Sequence, residues 1–163
     1  MPPRDEAALE ILREEAREVI TAQLRQSEEI DSKALETIKV IAVLVGLVVS
    51  AAAISETPSL YLTVQLVQLG GILLFASFVV SITAYSSDRP YVGVGDGKLE
   101  RHLQESPGKT DVLEDLVRSY SSWIHHNNRE LATDYWYLVM AQILLICGFS
   151  VILLGVALEA SPW

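Results

Sequence analysis

The feature that most constrains this chain is where its charges are missing. Residues 40–55, 57–87 and 136–158 contain no Asp, Glu, Lys or Arg. The 12 Lys and Arg and 21 Asp and Glu fall almost entirely into two blocks, residues 4–39 and 88–134. A bilayer imposes this segregation, because a charge at mid-membrane is costly while a charge in water is not. Strict strand alternation is absent, and a membrane β-barrel would need at least eight short strands. The chain therefore reads as an all-α integral membrane protein. It has three transmembrane helices plus two long cytoplasmic amphipathic helices continuous with spans one and three.

The boundaries follow from the same pattern. Residues 1–36 form a cytoplasmic amphipathic helix. Within it Leu9, Leu12, Ala16, Val19 or Ile20, and Leu24 recur at three- and four-residue steps as an apolar stripe. Glu10 with Arg13 and Glu14 with Arg17 are i,i+3 pairs on its wet face. Residues 37–55 are the first span. The uncharged stretch alone covers only ~24 Å, so Lys39 must carry its ammonium out to the headgroups. Residues 56–59, Glu-Thr-Pro-Ser, make an external turn, and 60–86 the second span.

Residues 87–135 are a Gly/Pro-rich cytoplasmic loop, with a short helix near 98–104, followed by an amphipathic helix. That helix starts near Asp111, where Asp111 and Glu114 suit a capping box. Its apolar face is Leu113, Leu116 or Val117, Tyr120, Ile124 and Leu131. No breaker separates it from the third span, 136–158, so residues 111–158 read as one helix of ~70 Å. Residues 159–163 are an external tail.

Six Lys and Arg precede the first span and six lie between the second and third, with none in the turn or the tail. Both charged blocks are thus expected in the cytoplasm, giving a multi-pass protein of the cell membrane with its N-terminus inside. On this topology the two amphipathic helices both run toward the bilayer, so any packing between them is parallel. The acidic balance argues against a nucleic-acid polymer as partner. It is compatible with a halophilic source. The single cysteine, Cys147, lies in an apolar run as a small hydrophobe, and no signal peptide is legible.

Nothing in the sequence makes an active site, so the expectation is a non-enzymatic protein without cofactor or metal. His125 and His126 diverge by ~100° around a helix and chelate one ion poorly. Gly108-Lys109-Thr110 imitates the end of a phosphate loop, but Leu103 stands where its first glycine belongs. Gly93, Gly95 and Gly97 beside Lys98 and Arg101 form a loop able to hold an anionic ligand, although turns are the plainer reading. Within the spans, Gln65, Gln68 and Gln142 are expected to face helix neighbours, in part across subunits of a homo-oligomer. Gly46 with Ser50, and Ser77 with Ser81, are small-residue pairs that permit close helix approach.

The stretch Glu29-Ile-Asp31-Ser-Lys33-Ala34 resembles the D-x-K-A approach to the membrane in small effectors of cyclic-nucleotide antiphage systems, the transmembrane Pycsar effectors and SLATT-type proteins. Asp31 and Lys33 match its motif positions. Tyr120, Trp123, Ile124, Asn127 and Asn128 before the last span are also similar. The resemblance implies a protein that senses a nucleotide signal in the cytoplasm and compromises the lipid bilayer. The cytoplasmic part departs from it in being short and acidic. The expected function is a membrane effector or signalling component whose cytoplasmic helices sense a cue and shift the bundle, in antiviral defence. The alternatives are an accessory membrane protein that binds only protein partners and, more weakly, a channel or transporter subunit.

Overall fold

The computed structural model describes residues 6–54, 61–85 and 108–160. All of these but Gly108 belong to three helices: α1 (Glu6–Ile54), α2 (Tyr61–Tyr85) and α3 (Lys109–Ala160). α1 contains no proline and reaches Gly46 before its first glycine, so nothing stops it between its charged half and its apolar half. α3 crosses from charged to apolar sequence in the same way. The described parts of Met1–Glu28 and Asp88–Ala132 make one compact unit, and those of Glu29–Ser87 and Thr133–Trp163 a second.

In the first unit α1 and α3 run parallel. Lys109 meets Glu6 and Glu10 at one end, and Gln23 meets Ile124, Asn127 and Asn128 further along. Within this unit the packed side of α1 runs through Ala16, Ile20, Gln23 and Ser27, with Leu9 and Leu24 half-buried beside it. The steps alternate between three and four, the 3.5-residue period of a coiled-coil seam. Of the stripe expected from sequence, Ile20 is buried and Leu9, Ala16 and Leu24 are half-buried. Leu12 and Val19 are 51% and 41% exposed, while the polar Gln23 takes the seam.

α3 departs in the same manner. Leu113 and Leu131 are buried, but Ser119 and Asn127 are buried with them and Ile124 is only half-buried. The helix also starts earlier than expected, at Lys109, with the Gly108 carbonyl accepting from the amides of Asp111 and Val112. Asp111 thus lies in the first turn, where its charge suits the helix dipole, instead of at the cap.

In the second unit α2 packs antiparallel on α3 through small residues. Gly70 and Gly148 face each other so closely that a Cβ on Gly70 would stand 2.7 Å from the Gly148 carbonyl oxygen. One on Gly148 would stand 3.0 Å from the Gly70 oxygen. Two turns along, the buried Ser77 hydroxyl donates to the Ala141 carbonyl at 2.7 Å. Gly70, Leu74, Ser77, Ser81 and Ala84 form the buried edge of α2. Small residues let two backbones approach, which is how helices associate where solvent supplies no hydrophobic drive.

Two helices, α2 over Val64–Tyr85 and α3 within Lys109–Leu158, are long and apolar enough to cross a membrane. Only 22% of each apolar window is buried. A soluble protein's core helix would be covered on most sides, and these are not, which favours lipid as their surroundings.

Candidate functional site

The most organised polar cluster among the described residues lies in the first unit. Gln23, 4% exposed, donates from Nε2 to the Ile124 carbonyl at 3.1 Å and to Asn128 Oδ1 at 2.9 Å. Asn127, 1% exposed, returns a bond from Nδ2 to Gln23 Oε1 at 3.2 Å. Both ends of the Gln23 amide are therefore served across the seam. Such a cluster fixes register, because sliding either helix by one turn would bury amides without these partners.

An ionic clasp closes the same unit at its far end. Lys109 Nζ lies 2.5 Å from Glu6 and 2.7 Å from Glu10. Hydrogen bonding to Glu10 and then Glu6 raises the Lys109 pKa above the ordinary lysine value. The same bond, reinforced by the lysine's charge, lowers that of Glu10. Lys109 in the phosphate-loop imitation thus meets carboxylates. Glu10 takes this cross-helix partner in place of Arg13, and Glu14 lies 3.9 Å from Arg13 without pairing with Arg17.

The second unit holds two further buried polar groups, of which the sequence reading singled out Ser81 but not Asp134. Ser81 is fully buried and its hydroxyl has no hydrogen-bond partner among the described residues. Asp134, at the start of the apolar part of α3, is 8% exposed. The offset that sets Gly70 against Gly148 and Ser77 against Ala141 brings Ala84 opposite position 134, so Ser81 and Asp134 belong to neighbouring turns. No periodicity flags Asp134 as buried; only the opposing helix reveals it.

The remaining sequence-derived candidates scatter. Lys33 is exposed and donates to Glu29 at 2.6 Å, an i,i+4 surface pair that raises its pKa, while Asp31 is half-buried. Gln65, Gln68 and Gln142 are all exposed on their helices. Ser77 and Ser81 lie at a close helix contact. Gly46 and Ser50 do not: Gly46 faces open space, and Ser50 bonds back to the Gly46 carbonyl at 2.8 Å. Gly93, Gly95, Gly97, Lys98 and Arg101, with the short helix near 98–104 and the external turn, lie outside the described residues. Among the described residues no three His, Cys, Asp or Glu side chains gather as a metal site. Cys147 is exposed.

Compared with family models, with curated proteins and with solved structures, the chain matches none of them. Its two apolar helices, mostly uncovered, place it with membrane proteins by composition and length alone.

Proposed function

We propose that this chain is a three-span membrane effector or signalling component, without enzymatic activity, in which the α1–α3 seam of the first unit responds to a cytoplasmic cue. The observation that carries this reading is the continuity of α1 and α3. Each passes from charged to apolar sequence without a break, so a rotation or slide at Gln23 and Asn127 is carried along the helix itself. The first span is the apolar half of α1, where Val43, Leu47 and Val49 are more than 60% exposed and suit a lipid environment. The N-terminus and residues 87–135 lie in the cytoplasm by their Lys and Arg. The exposed Gln65, Gln68 and Gln142 favour a homo-oligomer, since an amide facing lipid does better against another subunit.

The cue is a nucleotide, in keeping with the resemblance at Asp31 and Lys33, and the output is a change in membrane integrity. A thermal-shift screen of the purified protein against cyclic and linear nucleotides, with dye leakage from liposomes as second readout, tests both. A nucleotide that stabilises the protein and triggers leakage supports the effector reading. No shift and no leakage, with protein partners recovered from the membrane, favours the accessory reading.

A further inference from the structure

The second unit contains an open groove of about 570 Å³ along α1 and α2. It is walled chiefly by Ala42, Val45 and Val49 of α1 and by Gly71, Leu74 and Phe78 of α2. Every lining residue is apolar. Gly71 keeps it wide, since a Cβ there would meet nothing within 4 Å. Water would find no polar partners in it, so it is no hydration site.

One end of the groove is marked by charge. Lys39 precedes Ala42 by one turn, is exposed, and has no hydrogen-bond or ion-pair partner among the described residues, whereas Lys33 and Lys109 are both paired. Tyr85 follows Phe78 by seven residues on the same face of α2 and is 49% exposed. Lysine and tyrosine at the end of an apolar span are the residues that meet lipid headgroups. We infer that this groove binds an anionic phospholipid, one acyl chain lying along α1 and α2 and the phosphate resting against Lys39. The inference rests on the membrane reading above and adds a specific ligand to it. A cation beside an acyl-chain-wide apolar slot complements a negatively charged headgroup better than a zwitterionic one.

The test uses the full chain, delipidated in detergent and titrated with dioleoyl phosphatidylglycerol or dioleoyl phosphatidylcholine, with bound lipid counted by native mass spectrometry. The expected result is one retained phosphatidylglycerol per chain and a preference of about fivefold over phosphatidylcholine. Lys39→Gln should erase the preference. Gly71→Leu, whose Cβ would meet nothing within 4 Å and whose side chain would take up groove volume, should lower retention of both lipids at least tenfold. Ile146→Leu, exposed and outside the groove, should change neither. Unselective retention, full retention by Gly71→Leu, or a cross-link between two copies through the groove would each overturn the lipid site. Carbonate extraction of the expressing membranes separates the two layers of the argument. A chain that resists extraction but shows no lipid selectivity loses only this site, while an extracted chain loses the membrane reading as well.

Discussion

Replacing Gln23 by leucine removes three hydrogen bonds at once: to the Ile124 carbonyl, to Asn128 and from Asn127. The Ile124 carbonyl and the buried Asn127 amide each lose a partner they had in place of water. Taking away one side of such an arrangement costs about 1–3 kcal/mol. Asn127→Leu leaves the two donor bonds of Gln23 intact and removes the donor to its oxygen. Gln23→Leu with Asn127→Leu makes both sides of the pair apolar, and replacing both partners of a buried polar pair runs from neutral to stabilising. The double variant is therefore expected to be more stable than Gln23→Leu alone. Amide hydrogen exchange of the full chain in one detergent reads this locally. Protection over residues 18–27 and 120–131 should fall by about five- to hundredfold in Gln23→Leu and return toward wild type in the double variant. A double variant less protected than Gln23→Leu would refute the reasoning, because the polar layer would then be a net source of stability.

Three further outcomes follow. Gly70→Ala should push α2 and α3 apart at Gly148 and cost about 1–3 kcal/mol, read as a lower unfolding temperature in detergent, whereas Gly71→Ala should be nearly silent. The clasp at Lys109 should respond to acid and salt. The Glu10 pKa is depressed, so its contribution is present above the ordinary carboxylate value of 4.5 and is lost as pH falls through the lower folded value. Lys109 is raised, so its contribution holds below the ordinary 10.5 and is lost only as pH rises past that. Exchange at the first turns of α1 and α3 should thus be steady near neutrality, quicken in acid, and quicken at 1 M salt in wild type but not in Lys109→Met. Gln65→Leu with Gln142→Leu should weaken self-association in nanodiscs, measured by single-molecule photobleaching; a wild type that is monomeric at micromolar concentration would remove the oligomer.

Helix length and continuity were legible because they depend on local rules: no proline in α1 after Glu6, and apolar runs of spanning length. The packed face was legible in part. Ile20 and Ala16 of the expected stripe pack while Leu12 is exposed, and the seam also admits Gln23, Ser119 and Asn127. A polar residue in a seam is indistinguishable from one in water until its partner on another helix is known, and here the partners are about a hundred residues apart. Gly70 with Gly148 is illegible for the same reason. Ser77 and Ser81 could be read because small residues at i,i+4 inside an apolar run have few other uses.

The central claim is that α1 and α3 enter the bilayer from one side and α2 returns to it. Single cysteines in a Cys147→Ser background, at Thr57 and at Lys109, test it with a membrane-impermeant maleimide on intact cells. The account predicts that Thr57→Cys is labelled from outside and that Lys109→Cys is labelled only after permeabilisation. Labelling of Lys109→Cys in intact cells, with Thr57→Cys protected, would contradict it.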